Sequence, residues 1–462
     1  MEAVRKRDLF DGSLLKNIIF FTLPIIATSM LQLLFNTADL VVVGKFRGPD
    51  AVAAVGSTSA LINLIVNLLV GLSVGASVTV AQNYGAKDDG AVSRSVHTAI
   101  AIALAGGILA GIVGVFFSPT FLRWMKTDPA VIDASSLYMR IYFIGVPASM
   151  LYNFGASILR AVGNTKTPLI YLSTAGVINV FLNLFLVAVC GMGVEGVAIA
   201  TAVSQTVSAI LVINYLAKSR ESYRLDLRKL AFHKDETLRI LKIGVPAGLQ
   251  SSLFAISNVL IQSSVNSFGK IVVAGNTAAG TIEGFVYVLM NSFSNAAMTF
   301  VGQTVGAKRP DRIPAIATRC LLLVFGAGLI GGVSAYLFRM PLLSLFSSGE
   351  NVDAAEAATY GALRMLFIGL PYFLCGLMDV LTGLLRGMGS STVPMIITVV
   401  GVCVFRVAWI YTVFAAYREL SVLYLSYPVS WILTGTAQAI LYLVISRRLI
   451  GRARKKEALL QA

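Results

Sequence analysis

Histidine is almost missing from this 462-residue chain, which holds only His97 and His233, both beside polar segments. That argues against a histidine metal centre and leaves no imidazole base inside the apolar segments. Cysteine is also scarce. Cys190, Cys320, Cys375 and Cys403 lie in or near apolar stretches and form no CxxC pair, so neither a zinc site nor a disulfide framework is supported and packing is their expected role. Charge is rare as well, at 13% of residues against 56% hydrophobic, and the mean hydropathy of +0.80 excludes a soluble domain of this size. A GxxxxGK[ST] phosphate loop is absent, which excludes ATP-driven work by this chain alone. So are HExxH, GxSxG and carboxylate-rich metal loops, so the sequence predicts no enzyme and no cofactor. After the leader MEAVRKRD no small-residue cleavage site follows a short apolar core, so the first apolar run is expected to persist as a helix.

What the chain does hold is long apolar runs. A helix of about 20 residues crosses the roughly 30 Å hydrocarbon core at about 1.5 Å per residue. Twelve such helices are predicted, over 17–44, 52–82, 95–117, 136–161, 167–189, 194–217, 237–268, 274–301, 315–338, 360–385, 393–416 and 422–446. The expected organisation is an N-lobe over 1–217, a polar connector over 218–236, a C-lobe over 237–446 and a basic tail over 447–462. The connector reads as a flexible, solvated link, and the tail as a segment resting on anionic headgroups. Most of the 37 Lys and Arg residues fall in the two tails and in the loops after even-numbered helices, a distribution that predicts cytoplasmic termini and a lipid rather than a nucleic-acid partner for the net charge of +15.

The two halves repeat each other. Pro24 and Asn36 answer Pro246 and Asn258, AQNYGAK at 81–87 answers GQTVGAK at 302–308, and FIGVP ending at Pro147 answers FIGLP ending at Pro371. LRAVGNTKTP at 159–168 likewise answers LRGMGSSTVP at 385–394. An even number of crossings per repeat relates the halves by an axis along the membrane normal, and two similar bundles of this kind can alternate the access of a central cavity. Pro24, Pro147, Pro246 and Pro371 are expected to kink their helices, as static bends or as hinges. The GxxxG pairs Gly71/Gly75, Gly107/Gly111 and Gly328/Gly332 are expected to bring helices close.

Candidate chemistry reduces to a few polar groups within the spans. Asp39 lies in QLLFNTADLVVVG with no base near it in sequence, and a carboxylate at that depth calls for a proton, a cation or a partner. Asn179 and Asn183, spaced i and i+4, share a face of the fifth helix. At the helical rise, Asn183 and Thr201 fall about 10–12 Å below the surface from which Asp39 lies about 13 Å. One carboxylate with neutral oxygens suits Na⁺, a desolvated carboxylate suits H⁺, and plain interhelical hydrogen bonding is the structural alternative. In the second half, Glu283, Asp379 and Arg406 form a further set, read as one ion pair plus a surplus acid that holds a proton or attracts a cationic substrate.

The segments FNTADLVVVGKF, YNFGASILRAVGNTKTP, GMGVEGVAIATAVSQ and GLLRGMGSSTVP, in this order along essentially the whole chain, resemble the multidrug and toxic compound extrusion (MATE) family. The resemblance implies an all-α polytopic fold of twelve helices in two six-helix lobes arranged as a V. It implies a secondary exporter that exchanges cationic or amphipathic small molecules for H⁺ or Na⁺. It carries Asp39 over as the first-helix acid of the N-lobe, with Asn179 and Thr201 as neighbours, and Gln32 as a cavity position that contacts substrate in some members. Asn183 is expected to join the coupling-ion group, and Asn36, Asn153, Glu283, Asp379 and Arg406 are expected to line the substrate cavity beside Gln32. Many members place an aspartate on the fifth helix where this chain has Asn183, so the site offers one carboxylate instead of two. A multi-pass protein of a bacterial plasma (inner) membrane, acting as a monomer, is the expected setting. Two other readings stand beside it. A flippase for lipid-linked saccharides needs a cationic cavity, whereas three acids against Arg406 make this one acidic; a receptor or scaffold without transport leaves the buried acids without a use.

Overall fold

The computed structural model describes residues 12–345 and 352–461; residues 1–11, with the leader and its basic charges, lie outside the described residues. Among the described residues twelve helices are long and apolar enough to cross a membrane: α1 Leu14–Arg47, α2 Asp50–Gly85, α3 Asp89–Trp124, α4 Ile132–Ala161, α5 Lys166–Val189, α6 Val194–Lys218, α7 Lys234–Asn266, α8 Lys270–Gly306, α9 Pro310–Leu337, α10 Asp353–Gly387, α11 Thr392–Ala416 and α12 Leu420–Lys455. Several run past the sequence-based limits because polar first and last turns stay helical beyond the apolar run. Side chains such as Phe20, Phe116, Ile144, Phe181, Ile210 and Ile330 stand exposed on these helices. In water that would be unfavourable; in hydrocarbon it is the expected outer surface.

The repeat is visible in the backbone as well as the letters. Lys87 and Lys308, which close the paired AQNYGAK and GQTVGAK segments, both take left-handed conformations, with φ of 56° and 57°. Gly48 and Gly269 match at 81° and 100°, and Gly163 and Gly389 at 94° and 85°. Both lysine turns satisfy their helix-end carbonyls identically, Lys87 N–H donating to Tyr84 O and Lys308 N–H to Val305 O at 3.1 Å each.

Contacts gather the described chain into two compact units, one over Leu23–Ser252 and the other over Leu253–Ala462 joined by the first turns of α1 up to Thr22. These boundaries differ from the lobe limits set by the repeat, since they fall inside α1 and α7 instead of in the connector. The cause lies in how the first turns of α1 and the first half of α7 pack. In the Leu23–Ser252 unit, Gly244 and Gly248 of α7 lie against Gly71 and Gly75 of α2, so close that a Cβ on Gly71 would strike the Gly248 backbone and one on Gly75 the Ile240 carbonyl. Glu236, buried at the start of α7, accepts hydrogen bonds from Asn83 and Ser95, at 3.3 and 3.1 Å. In the other unit, Phe21 of α1 meets Phe300 of α8 edge-on at 5.4 Å. The GxxxG pairs thus act as close-approach surfaces; a Cβ on Gly107 would sit 2.7 Å from Pro147 Cα, and one on Gly332 2.6 Å from Gly369 O. Gly71→Leu is expected to lower stability by about 1–3 kcal/mol or more through overpacking at the α2–α7 crossing, read as a drop in melting temperature in detergent; an unchanged melting temperature would refute this packing.

The connector is not the free, solvated link the sequence suggests. His97 on α3 donates from Nδ1 to Ser93 O at 2.7 Å, which leaves Nε2 to accept the Asp226 N–H at 3.0 Å. Thr98 then holds the backbone of Ala231 and His233, at 3.3 Å each. The alternating charges hid this because the anchoring is through backbone groups and a buried Leu225.

Within the Leu23–Ser252 unit α4 is central, packed against α2, α3 and α6, with α5 on α6. In the second unit α8 and α10 pack together, α9 lies against both, and α12 lies against α10 and α11.

Candidate functional site

Gln32, Asn36 and Asp39 follow one another at i, i+4 and i+7, so α1 carries a polar stripe along one face of an otherwise apolar helix. Asp39 ends that stripe eight residues before the last residue of α1, or about 12 Å at the helical rise. Its carboxylate closes a ring of four side chains. Asn183 Nδ2 donates to Asp39 Oδ1 and, at 3.2 Å, to Asn179 Oδ1. Asn179 Nδ2 reaches Thr201 Oγ1 at 3.5 Å, and Thr201 donates to Asp39 Oδ2 at 3.3 Å. Three helices, α1, α5 and α6, therefore meet at one carboxylate. Asn183 and Asn179 are 0% and 5% exposed, so the ring is shut off from lipid on the α5 side.

The backbone changes character at this point. Directly after Asn183, α5 switches to a π-helical turn over Leu184–Val189, a distortion that recurs at functional positions because it frees carbonyls and re-aims side chains. One of its carbonyls, Val187 O, accepts from Arg47 Nη2 at 3.0 Å. Thus α1 is tied to α5 through Asp39 and again, two turns on, through Arg47.

Both Asp39 oxygens accept hydrogen bonds, the pattern of an ionised carboxylate. Asn183 Oδ1 is buried without a hydrogen-bond partner. Rotating that amide by half a turn would put Oδ1 beside Asp39, and with Asn179 Oδ1 and Thr201 Oγ1 the ring would offer only oxygen acceptors, the shell a small hard cation takes. A proton on Asp39 would instead give the carboxyl a donor for one of these same oxygens. The residues present fit either ion. Among the described residues no group of three His, Cys, Asp or Glu side chains could hold a metal ion.

The second unit differs from the sequence expectation. Glu283 does not await Arg406; it is paired with Arg364 of α10, whose Nη2 lies 2.7 Å from Oε2 while Nε reaches both carboxylate oxygens at 3.2 Å. Arg364 Nη1 donates to Asn276 Oδ1 at 2.7 Å, an oxygen that also accepts from Tyr424 at 3.1 Å. Asp379 lies beside Tyr287 and Asn291 and faces the charge of Arg386, and its Oδ2 is buried without a hydrogen-bond partner. No carboxylate pairs with Arg406 among the described residues. The acid surplus read from the sequence is therefore absent, because each of the two acids has its own arginine. Arg364 and Arg386 looked like helix-end charges, yet α10 begins at Asp353, which places Arg364 eleven residues inside the span, and long guanidinium stems reach inward from a helix end.

Of the expected cavity positions, Gln32 is half-buried and Asn36 exposed on the Asp39 face, whereas Asn153 turns back onto its own helix, donating to Ser149 O at 2.8 Å. Sequence reading missed Arg364, Arg386, Asn276, Tyr287 and Asn291. The available signal was that Asn276 and Glu283 lie seven residues apart on one face of α8, with room for a bridging cation between them.

Twelve apolar spans, a doubled backbone pattern, and ionisable groups held inside the spans by hydrogen bonds define a polytopic membrane transporter. The MatE family profile matches residues 24–185 and again 246–412, and the chain belongs to that family. The two matches begin at the paired Pro24 and Pro246, so the family resemblance independently picks out the internal repeat. Members are multidrug efflux transporters and not enzymes. The chain is 27% identical over 429 residues to the probable multidrug resistance protein YoeA of Bacillus subtilis (strain 168), covering 91% of each. It is 23% identical over 395 residues to the probable multidrug resistance protein NorM of Thermotoga maritima, covering 85% of this chain and 84% of that one. The crystal structure of a MATE in complex with MaL6 superimposes with a TM-score of 0.90 over 97% of this chain and 100% of the other, at 21% identity, which establishes the shared fold.

Proposed function

We propose that the protein is a secondary active exporter that moves amphipathic organic compounds out across the membrane by alternating access, in exchange for H⁺ or Na⁺, and that Asp39 is its coupling acid. One observation carries this reading: the closed ring Asp39–Asn183–Asn179–Thr201, in which the sole carboxylate is held by α1, α5 and α6 at once. An ion bound there neutralises the carboxylate and changes how the ring is bonded, so its arrival alters the cohesion of three helices. That is the link an antiporter needs between ion occupancy and conformation. The expectation of a cationic substrate loses its acid-surplus support, so the amphipathic class stands without it. Cytoplasmic termini, a bacterial plasma membrane and a monomeric state complete the proposal, the first of these on the charge distribution already described.

The test is efflux of a fluorescent amphipathic dye from proteoliposomes under a proton gradient alone and then under a sodium gradient alone. Acceleration by one gradient supports antiport and names the ion; no acceleration by either contradicts it. Asn183→Asp would add a second carboxylate to the ring and is expected to tighten Na⁺ binding by about tenfold, measured by sodium titration of the purified protein. An unchanged sodium affinity would exclude Na⁺ from the ring.

A further inference from the structure

Arg406 on α11 is 2% exposed and is used by none of the interactions described so far. Its Nε donates to Ser430 Oγ at 3.0 Å, and its guanidinium lies 3.9 Å from the centre of the Tyr427 ring and 5.7 Å from that of Trp431. Nη2 is buried without a hydrogen-bond partner. A buried guanidinium with no carboxylate is costly unless something else meets its charge, and cation–π contacts offset only part of that.

The local backbone is shaped to put it there. Residues Val399–Val404 of α11 form a π-helical segment, in which positions five apart come into register. Gly401 and Arg406 thereby share a face, and that face meets one stripe of α12. Gly401 lies against Thr434, and Arg406 against Ser430, Tyr427 and Trp431. Tyr427, Ser430, Trp431 and Thr434 stand at i, i+3, i+4 and i+7, which is one side of a helix. Thr434 Oγ1 is a second buried polar atom with no partner. Two groups that can donate, one of them charged, thus lack acceptors on the same helix–helix seam, beside aromatic faces.

The neighbouring charges leave this cluster positive. Arg364 lies 5.9 Å from the other side group of the frame, the Tyr427 ring, but Glu283 already neutralises it. We infer that Arg406, framed by Tyr427 and Trp431, is a binding position for the anionic group of an aromatic organic acid, so that carboxylate-bearing amphipaths are among the compounds this protein takes. A carboxylate supplies the acceptors that Nη2 lacks, and the arginine fork matches its geometry. An aromatic body then stacks on the rings that already flank the guanidinium. The inference rests on the exporter reading, of which it names one substrate class.

The experiment uses the purified full-length protein in detergent, with tryptophan fluorescence as the readout and no ion gradient. The probes are 2-naphthylacetate, its methyl ester and 2-naphthylethylamine. The wild type is expected to bind the acid about tenfold more tightly than the ester, with the amine weakest. Arg406→Gln is expected to erase the acid's advantage while leaving ester binding in place, and Arg406→Lys to keep part of it. If Arg406→Gln does not fold, Arg406→Lys and the acid-to-ester ratio of the wild type carry the test. Equal affinity for acid and ester in the wild type, or an undiminished ratio in the folded variant, overturns the assignment. Because binding is read at equilibrium, its failure is separate from failure of ion-driven efflux, which would overturn only the coupling.

Discussion

Asp39→Asn is expected to reduce gradient-driven efflux to the rate of passive leak while the protein still folds. The amide keeps the size of the carboxylate. With its Oδ1 set toward Asn183 Nδ2 it still accepts that donor, and its new Nδ2 faces Thr201 Oγ1, a hydroxyl that can accept as well as donate. The ring survives without its charge. What is lost is the charge-assisted part of ion binding, which lowers ion affinity by about 10- to 100-fold and removes proton uptake altogether. Dye efflux from proteoliposomes, with the melting temperature as a control, checks this. Efflux at the wild-type rate from a folded Asp39→Asn protein would remove Asp39 from the coupling site.

Arg364→Met is expected to be the most destabilising single change. It leaves Glu283, 4% exposed, without its cation, and it strips Asn276 Oδ1 of one of its donors. Breaking a buried pair in this way costs about 3–5 kcal/mol. The double variant Glu283→Leu/Arg364→Met removes both charges together and is expected to recover much of the loss, since well-packed apolar replacements of a buried pair come out near neutral. Cys375 and Cys403 are buried in the same unit, so a thiol-reactive dye reports its unfolding directly. If instead Glu283 served chiefly to attract substrate, Arg364→Met would leave the melting temperature unchanged and alter only transport.

The fold was legible because membrane spans announce themselves by apolar length, and the repeat because turn-forming motifs recur at nearly constant spacing. Lys87 and Lys308 show why such motifs are informative: their paired left-handed turns are a backbone requirement that the letters record. The Asp39 ring was legible for a related reason. A lone carboxylate in an apolar helix must find partners, and helical depth limits which groups qualify. The second unit was harder to read. Arg364 and Arg386 are arginines near helix ends, and sequence does not tell a snorkelling arginine from one that turns inward. The π-helical segments beside Asn183, Arg364 and Arg406 were also invisible, since nothing in the apolar run 399–404 or its counterparts marks the extra residue per turn. Each of these segments borders a buried polar or charged group, and their positions set which side chains meet. The first half of α7 escaped for another reason: contacts made by glycines leave no hydrophobic signature.

Antiport requires organic substrate and ion to move in opposite directions through one protein. It is tested most directly by running the exchange backwards. Proteoliposomes are given an inward gradient of the dye and no ion gradient, and the movement of protons and of radioactive sodium is followed. In the wild type dye entry is expected to drive one of these ions outward, and Asp39→Asn to abolish the ion movement. Dye entry with neither ion moving would contradict antiport.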